Sequence, residues 1–125
     1  MTNLFIQKTR STPEIDFKIS GELIITGRSL PEDVHRFYDP VVDWVEELEC
    51  ENLILDLKLE YLNTSSTNKI LTLLLTINEN LKIKNITVNW YYESDDMEME
   101  DLGLIYEEDV TRAKFNFIEG VDLFD

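Results

Sequence analysis

"LILDLKLEYLNTSSTNKIL", residues 53–71, decides how the rest of the chain is read. Leu53, Leu55, Leu57, Leu59 and Tyr61 fall on one side of a period-two pattern, and Asp56, Lys58 and Glu60 fall on the other. That alternation predicts a strand with one buried face. The period then changes. Ile70, Leu74, Ile77 and Leu81 recur at helical spacing with Leu71 and Leu75 beside them, so a helix is expected over 65–80. Between the two patterns, every position from Asn63 to Asn68 carries a hydroxyl or an amide. The polar run therefore sits after the carboxyl end of a strand and at the start of a helix. In α/β sheets that is where ligands and modifications are usually handled.

Working outward, the same two periods repeat. Leu4 and Ile6 begin a short strand, and Ile15, Phe17 and Ile19 alternate with Glu14, Asp16 and Lys18. "SGE" at 20–22 is a turn signal and "LIITG" follows it, so a hairpin is expected. A helix comes next. Ser29 and Glu32 have capping-box spacing, and Pro31 fits the first turn. Val34, Phe37, Tyr38, Val41, Val45 and Leu48 form an apolar stripe with Trp44 beside it, while Pro40 predicts a kink or a split near Tyr38 and Asp39. Ile86, Val88, Trp90 and Tyr92 alternate in a further strand and send Tyr91 to the opposite face. Residues 96–109 make an acidic helix, and "AKFNFI" closes the sheet. The order β-β-β-α-β-α-β-α-β predicts a single α/β domain over 1–125. It would hold a mixed sheet of about five to six strands with helices packed on it.

Composition narrows the function. Of the 125 residues, 43% are hydrophobic, enough for a core, and the net charge is -15. Such a chain repels nucleic acid and anionic membranes and suits either a basic protein partner or simply a solvated surface. The one cysteine, Cys50, allows no internal disulfide and fits a reducing compartment. "MTNLFIQKTR" lacks the apolar stretch of a signal peptide, and "ILTLLLTI" is too short to span a bilayer, so a cytoplasmic protein is expected.

The polar run admits several chemistries. One Asn, Ser or Thr as helix cap is the plainest. A phosphate loop of the P-loop kind needs glycines, and none is present here. A serine nucleophile needs a histidine base, and His35, in the first helix, is the only one. A phosphoacceptor hydroxyl asks only for exposure at the loop–helix junction, since the catalytic groups belong to the kinase. A small anion held by the helix N-terminus is the remaining alternative. Elsewhere, residues 93–109 hold nine acids and no Lys or Arg, but the EF-hand pattern is absent. That segment is a solvated face or a docking face for a basic partner, and Met97 and Met99 are expected in the core. Asp43, Glu46, Glu47 and Glu49 lie on the polar side of the first helix, so they read as solvated residues and not as paired catalytic carboxylates.

The chain resembles the SiaC-type bacterial regulatory phosphoproteins. "STPEID" at 11–16, "GRSLPED" at 27–33, "YDPVVDWVEE" at 38–47, "LKLEYLNTSS" at 57–66 and "WYYESDDMEMEDLG" at 90–103 carry the likeness in the right order. It implies a STAS-like fold, similar to anti-sigma-factor antagonists, and a non-enzymatic adaptor; from the residues themselves no cofactor or metal is expected. It further implies phosphorylation of Thr64 by a kinase of the anti-sigma-factor type and its reversal by a PP2C-type phosphatase. For some members the unmodified form activates a diguanylate cyclase, which links the switch to cyclic-di-GMP and biofilm control. Tyr61, Leu62, Asn63, Ser65, Ser66 and Lys69 are the expected partner-binding residues around Thr64.

Overall fold

A computed structural model describes residues 1–124. Its strands are β1 (Leu4–Ile6), β2 (Glu14–Phe17), β3 (Glu22–Ser29), β4 (Cys50–Leu62), β5 (Ile83–Glu93) and β6 (Ala113–Gly120). Its helices are α1 (Val34–Glu47), α2 (Thr64–Glu79) and α3 (Met97–Asp109). The six strands lie in one sheet in chain order. β1, β2 and β3 pair antiparallel, while β3 to β6 are parallel, so the sheet is mixed as expected.

Strands added in one direction through right-handed crossovers bring every connecting helix to the same face of the sheet. Burial follows that rule. Leu23 and Ile25 of β3, Leu53, Leu55, Leu57 and Leu59 of β4, and Val88 and Trp90 of β5 are all at most 2% exposed. Against them pack Tyr38, Val41 and Val45 of α1, then Ile70, Leu73, Leu74 and Ile77 of α2, and Tyr106 of α3. The helices thus cover one face only. The other carries a polar ladder in register: Asn116 donates to Asn89 at 2.9 Å, and Asn89 donates to Asp56 at 2.8 Å. Lys58 lies 4.8 Å from the centre of the Tyr91 ring on the same side.

Several expectations need correction. Ser29 does not cap α1. It ends β3 as a wholly buried residue in the inward series Leu23, Ile25, Gly27, and Asp33 caps instead, accepting from the Arg36 N–H at 3.1 Å. Pro31 accordingly lies before the helix. Pro40 neither splits nor ends α1. It is exposed, and the one helical hydrogen bond it removes is that to the carbonyl of exposed Arg36. Ile19 leaves the alternation because the Gly21 N–H bonds Lys18 O at 2.9 Å and turns the chain there, so Ile19 is 50% exposed. Leu81 lies beyond α2 and is 74% exposed, while Leu73 holds the stripe position that the sequence left unassigned. Asn80 stops the helix, donating from Nδ2 to Val45 O at 2.9 Å and Leu48 O at 2.8 Å.

Tyr61 is the most consequential correction. The pairing of β3 with β4 shifts between Gly27↔Leu59 and Arg28↔Tyr61, so Glu60 is an extra residue in β4. A bulge of one residue inverts the faces that follow it. Tyr61 therefore points outward, 46% exposed, and Leu62 turns toward the core.

α3 docks on Trp90, whose Nε1–H donates to Met99 O at 2.9 Å and whose ring meets Tyr106 edge-on at 5.5 Å. A Cβ on Gly103 would come within 2.5 Å of Trp90 Nε1 and 2.8 Å of Phe117 Cε1. Gly103→Ala is expected to destabilise by about 1–3 kcal/mol, as overpacking does, despite the better helix propensity of alanine. Urea unfolding that shows a stabilised variant would refute this packing account.

Candidate functional site

The carboxyl ends of β3 and β4 meet the first turns of α1 and α2, and the polar run lies at that junction. Asn63 is the N-cap of α2. Its Oδ1 accepts from the Ser66 N–H at 2.9 Å, and its own N–H bonds Ser29 O at 3.0 Å, which extends the β3–β4 pairing into the cap.

The hydroxyls of the run separate by role. Thr67 donates back to Asn63 O at 3.1 Å, the helical back-bond of a threonine. Ser65 is exposed and donates to Asn63 Oδ1 at 3.3 Å. Ser66 is wholly buried. Thr64 is the first helical residue, it is exposed, and among the described residues its hydroxyl makes no hydrogen bond to the protein. It is the hydroxyl of the run that no local structural role absorbs.

Ser66 completes a buried chain of three hydroxyls. Ser29 Oγ donates to Ser66 Oγ at 2.7 Å, and Ser29 Oγ and Tyr38 OH lie 2.5 Å apart. A serine has one hydroxyl proton, and Ser29 gives it to Ser66, so Tyr38 donates to Ser29. The chain joins α1, β3 and α2. Burial pushes the Tyr38 phenol up from 10.0 to about 12, against a smaller opposing effect of its bonds to Ser29 and Ser66. Tyr106 of α3 reaches the same turn, donating to Thr67 O at 2.6 Å, and burial raises its pKa too.

The surface around Thr64 is mixed. Arg28 lies over the Tyr61 ring at 5.8 Å. Lys69 pairs with Asp39 at 2.9 Å, which lowers the Asp39 pKa through that bond. A cleft of about 220 Å³ runs from Tyr61 and Leu62 to Asp96, Glu98 and Met99 of α3. A larger one, about 710 Å³, opens at the far end of α2 between Glu46, Glu49, Glu79 and Lys82. It is an open acidic surface whose one buried polar residue, Asn80, is already bonded, so chemistry favours the smaller cleft. Among the described residues no group of His, Cys, Asp and Glu is assembled to hold a metal ion, and no helix is long and apolar enough to cross a membrane.

Comparison with known proteins fits this arrangement. The family model described as SiaC family regulatory phosphoprotein matches residues 6–120. The chain belongs to the SiaC family. An uncharacterized protein of Pseudomonas aeruginosa strain UCBPP-PA14 is 33% identical over 115 residues, which is 87% of this chain and 90% of that one. SiaC of Pseudomonas aeruginosa, as crystallised with the diguanylate cyclase SiaD that it activates, superposes with a TM-score of 0.82. The identity there is 30%, over 94% of this chain and 99% of that one. SiaC of the same species in its apo crystal structure gives 0.77 at 31% identity, covering 97% of this chain and all (100%) of that one. The resemblance seen in the sequence, the α/β fold and its six-stranded mixed sheet thus stand on structures of the family.

Measured against the expected site residues of this SiaC family member, the geometry sorts them. Thr64, Asn63, Ser65 and Tyr61 share the junction surface, with Leu62 half-buried beneath. Ser66 cannot touch a partner, because its side chain lies inside the core. Lys69 is only 17% exposed in its side chain and engaged by Asp39. Sequence reasoning missed Ser29, Tyr38, Arg28 and Tyr106. Ser29 was signalled by its place in the inward series of β3, and Arg28 had no such signal, because the bulge that pairs it with Tyr61 exists only between the two strands.

Removing the cap by Asn63→Ala is expected to cost about 0.5–2 kcal/mol, and Asn63→Asp to restore most of it. Thermal melts of the two variants check this. Ser29→Ala leaves two buried hydroxyls short of a partner, with an expected loss of about 1–3 kcal/mol in urea unfolding. The raised Tyr38 pKa means that the folded state holds the phenolic proton more tightly than the unfolded chain. That contribution is complete below pH 10 and fades as pH rises toward 12. Wild-type stability should therefore fall over that window, and Tyr38→Phe should lessen the slope. Parallel slopes for the two proteins would show that Tyr38 does not carry it.

Proposed function

We propose that this chain is a non-enzymatic signalling adaptor whose binding to a diguanylate cyclase is switched by reversible phosphorylation of Thr64. The observation that carries the proposal is the position of Thr64. It opens α2, is exposed and spends its hydroxyl on no local bond, while Ser66 and Thr67 are committed to the fold. Similarity to a SiaC crystallised with the cyclase it activates supports the choice of partner. A kinase of the anti-sigma-factor type would add the phosphate and a PP2C-type phosphatase would remove it, coupling the adaptor to cyclic-di-GMP and biofilm control.

The physics of the switch is local. A phosphate adds about -1.5 to -2 charges at the helix N-terminus, where backbone N–H groups and the helix dipole favour it within the free protein. In a complex, the same group must be desolvated against the partner or must hold it off. The contact surface in this proposal is Tyr61, Leu62, Asn63 and Ser65 around Thr64, with Arg28 stacked on Tyr61.

Thr64→Glu is expected to weaken cyclase binding by about tenfold or more, roughly 1.4 kcal/mol. Thr64→Ala should bind like the unmodified protein and ignore treatment with kinase and ATP. Affinity and cyclic-di-GMP output, measured before and after that treatment, check both. Equal binding by all three forms sinks the switch, and calorimetric uptake of inorganic phosphate by the unmodified protein would move the small-anion reading ahead.

A further inference from the structure

α3 is apolar on two opposite sides. Met99, Gly103 and Tyr106 are buried toward the sheet. Met97, Leu104 and Ile105, separated by seven and eight residues, share the other side and are 71%, 45% and 56% exposed. A lone exposed apolar residue means little, but three on one helix face form a patch. Met97 was expected in the core beside Met99. It stands in solvent instead, where an unbranched thioether suits an adaptable contact.

The surroundings of the patch say what fits it. Glu98, Asp101, Glu107 and Glu108 ring it, all exposed, and residues 93–109 contain no Lys or Arg. The one ion pair among the described residues, Lys69–Asp39, lies elsewhere. A second copy of this chain, with its net charge of -15, would bring carboxylate against carboxylate. A helix with an apolar stripe flanked by Lys and Arg meets both features at once.

We propose that the outward face of α3, with Met97, Leu104 and Ile105 inside a ring of carboxylates, is a docking surface for a basic amphipathic helix of the partner protein. The inference rests on the adaptor reading above and adds where and through what chemistry the partner is held. The cleft lined by Tyr61, Leu62, Glu98 and Met99 lies between the carboxylate ring and the strand end that leads to Thr64, so one partner can span both. The two surfaces divide the work: α3 supplies charge-steered affinity, and Thr64 supplies the switch.

The test titrates a purified SiaD-type diguanylate cyclase of the same organism against four forms of the full chain at several salt concentrations. These are wild type, Leu104→Ser with Ile105→Ser, Glu98→Lys with Asp101→Lys and Glu108→Lys, and Thr64→Glu. Circular dichroism melts report folding. The serine variant should lose about tenfold or more in affinity, and the lysine variant should bind weakly and lose most of its salt dependence. Thr64→Glu should bind weakly yet keep the salt dependence. Hydrogen exchange on wild type should show slowed amides over 97–108 when the cyclase is added, which holds the test open if a variant unfolds. Wild-type binding without that protection, or folded variants with wild-type affinity and salt dependence, overturns the docking surface alone. No binding by wild type overturns the adaptor reading and the docking surface with it.

Discussion

A hydroxyl buried among leucines must find a partner, and behind the Thr64 junction three of them find one another. Tyr38, Ser29 and Ser66 come from α1, β3 and α2, and their chain leaves none of the three isolated in the core. Everything at this end of the molecule depends on that closure. It fixes the first turn of α2 against β3, and so sets the depth at which Thr64 emerges. Asn63 works on the same turn from outside, and Tyr106 from the α3 side. The turn is thus held from three directions while its first residue stays free. At the opposite end of α2, the guanidinium of Arg112 donates to Asn78 O at 2.8 Å and Asn80 O at 3.3 Å, satisfying carbonyls that the helix leaves open.

One-sided coverage is unusual for a parallel sheet, whose strands are generally buried on both faces. Here the uncovered face is made tolerable by side chains that satisfy each other. The Asp56–Asn89–Asn116 ladder crosses three strands, and Lys58 shields Tyr91. The helices supply the apolar layer on the opposite face, where the core lies. Contacts with other molecules can then be built on the outer surfaces of the helices without disturbing the sheet.

Much of this was legible in the sequence because period alone separates strand from helix. The element order, the Ile70–Leu74–Ile77 stripe and the Trp90–Tyr92 alternation all follow from spacing. What spacing could not show was pairing between distant segments. Tyr61 seemed inward-facing because the extra residue at Glu60 exists only relative to β3. Ser29 looked like a helix cap because an N-cap serine and a buried strand-end serine are the same residue in a string. Ser66 was grouped with its exposed neighbours because burial within a polar run depends on what packs above it. The two-sided apolar character of α3 weakened its periodicity, and that weakness was itself the trace of an outward-facing patch.

The bulge at Glu60 is a feature of spacing rather than of residue identity. Between Leu59 and Asn63 the strand carries one residue more than its β3 partner. Many side chains could stand at 60 without changing where the others go. Deleting that one position would leave the faces as they are, with Tyr61 opposite Arg28 and Leu62 opposite Ser29, and would take away the local bend and added twist that a bulge gives the end of the strand.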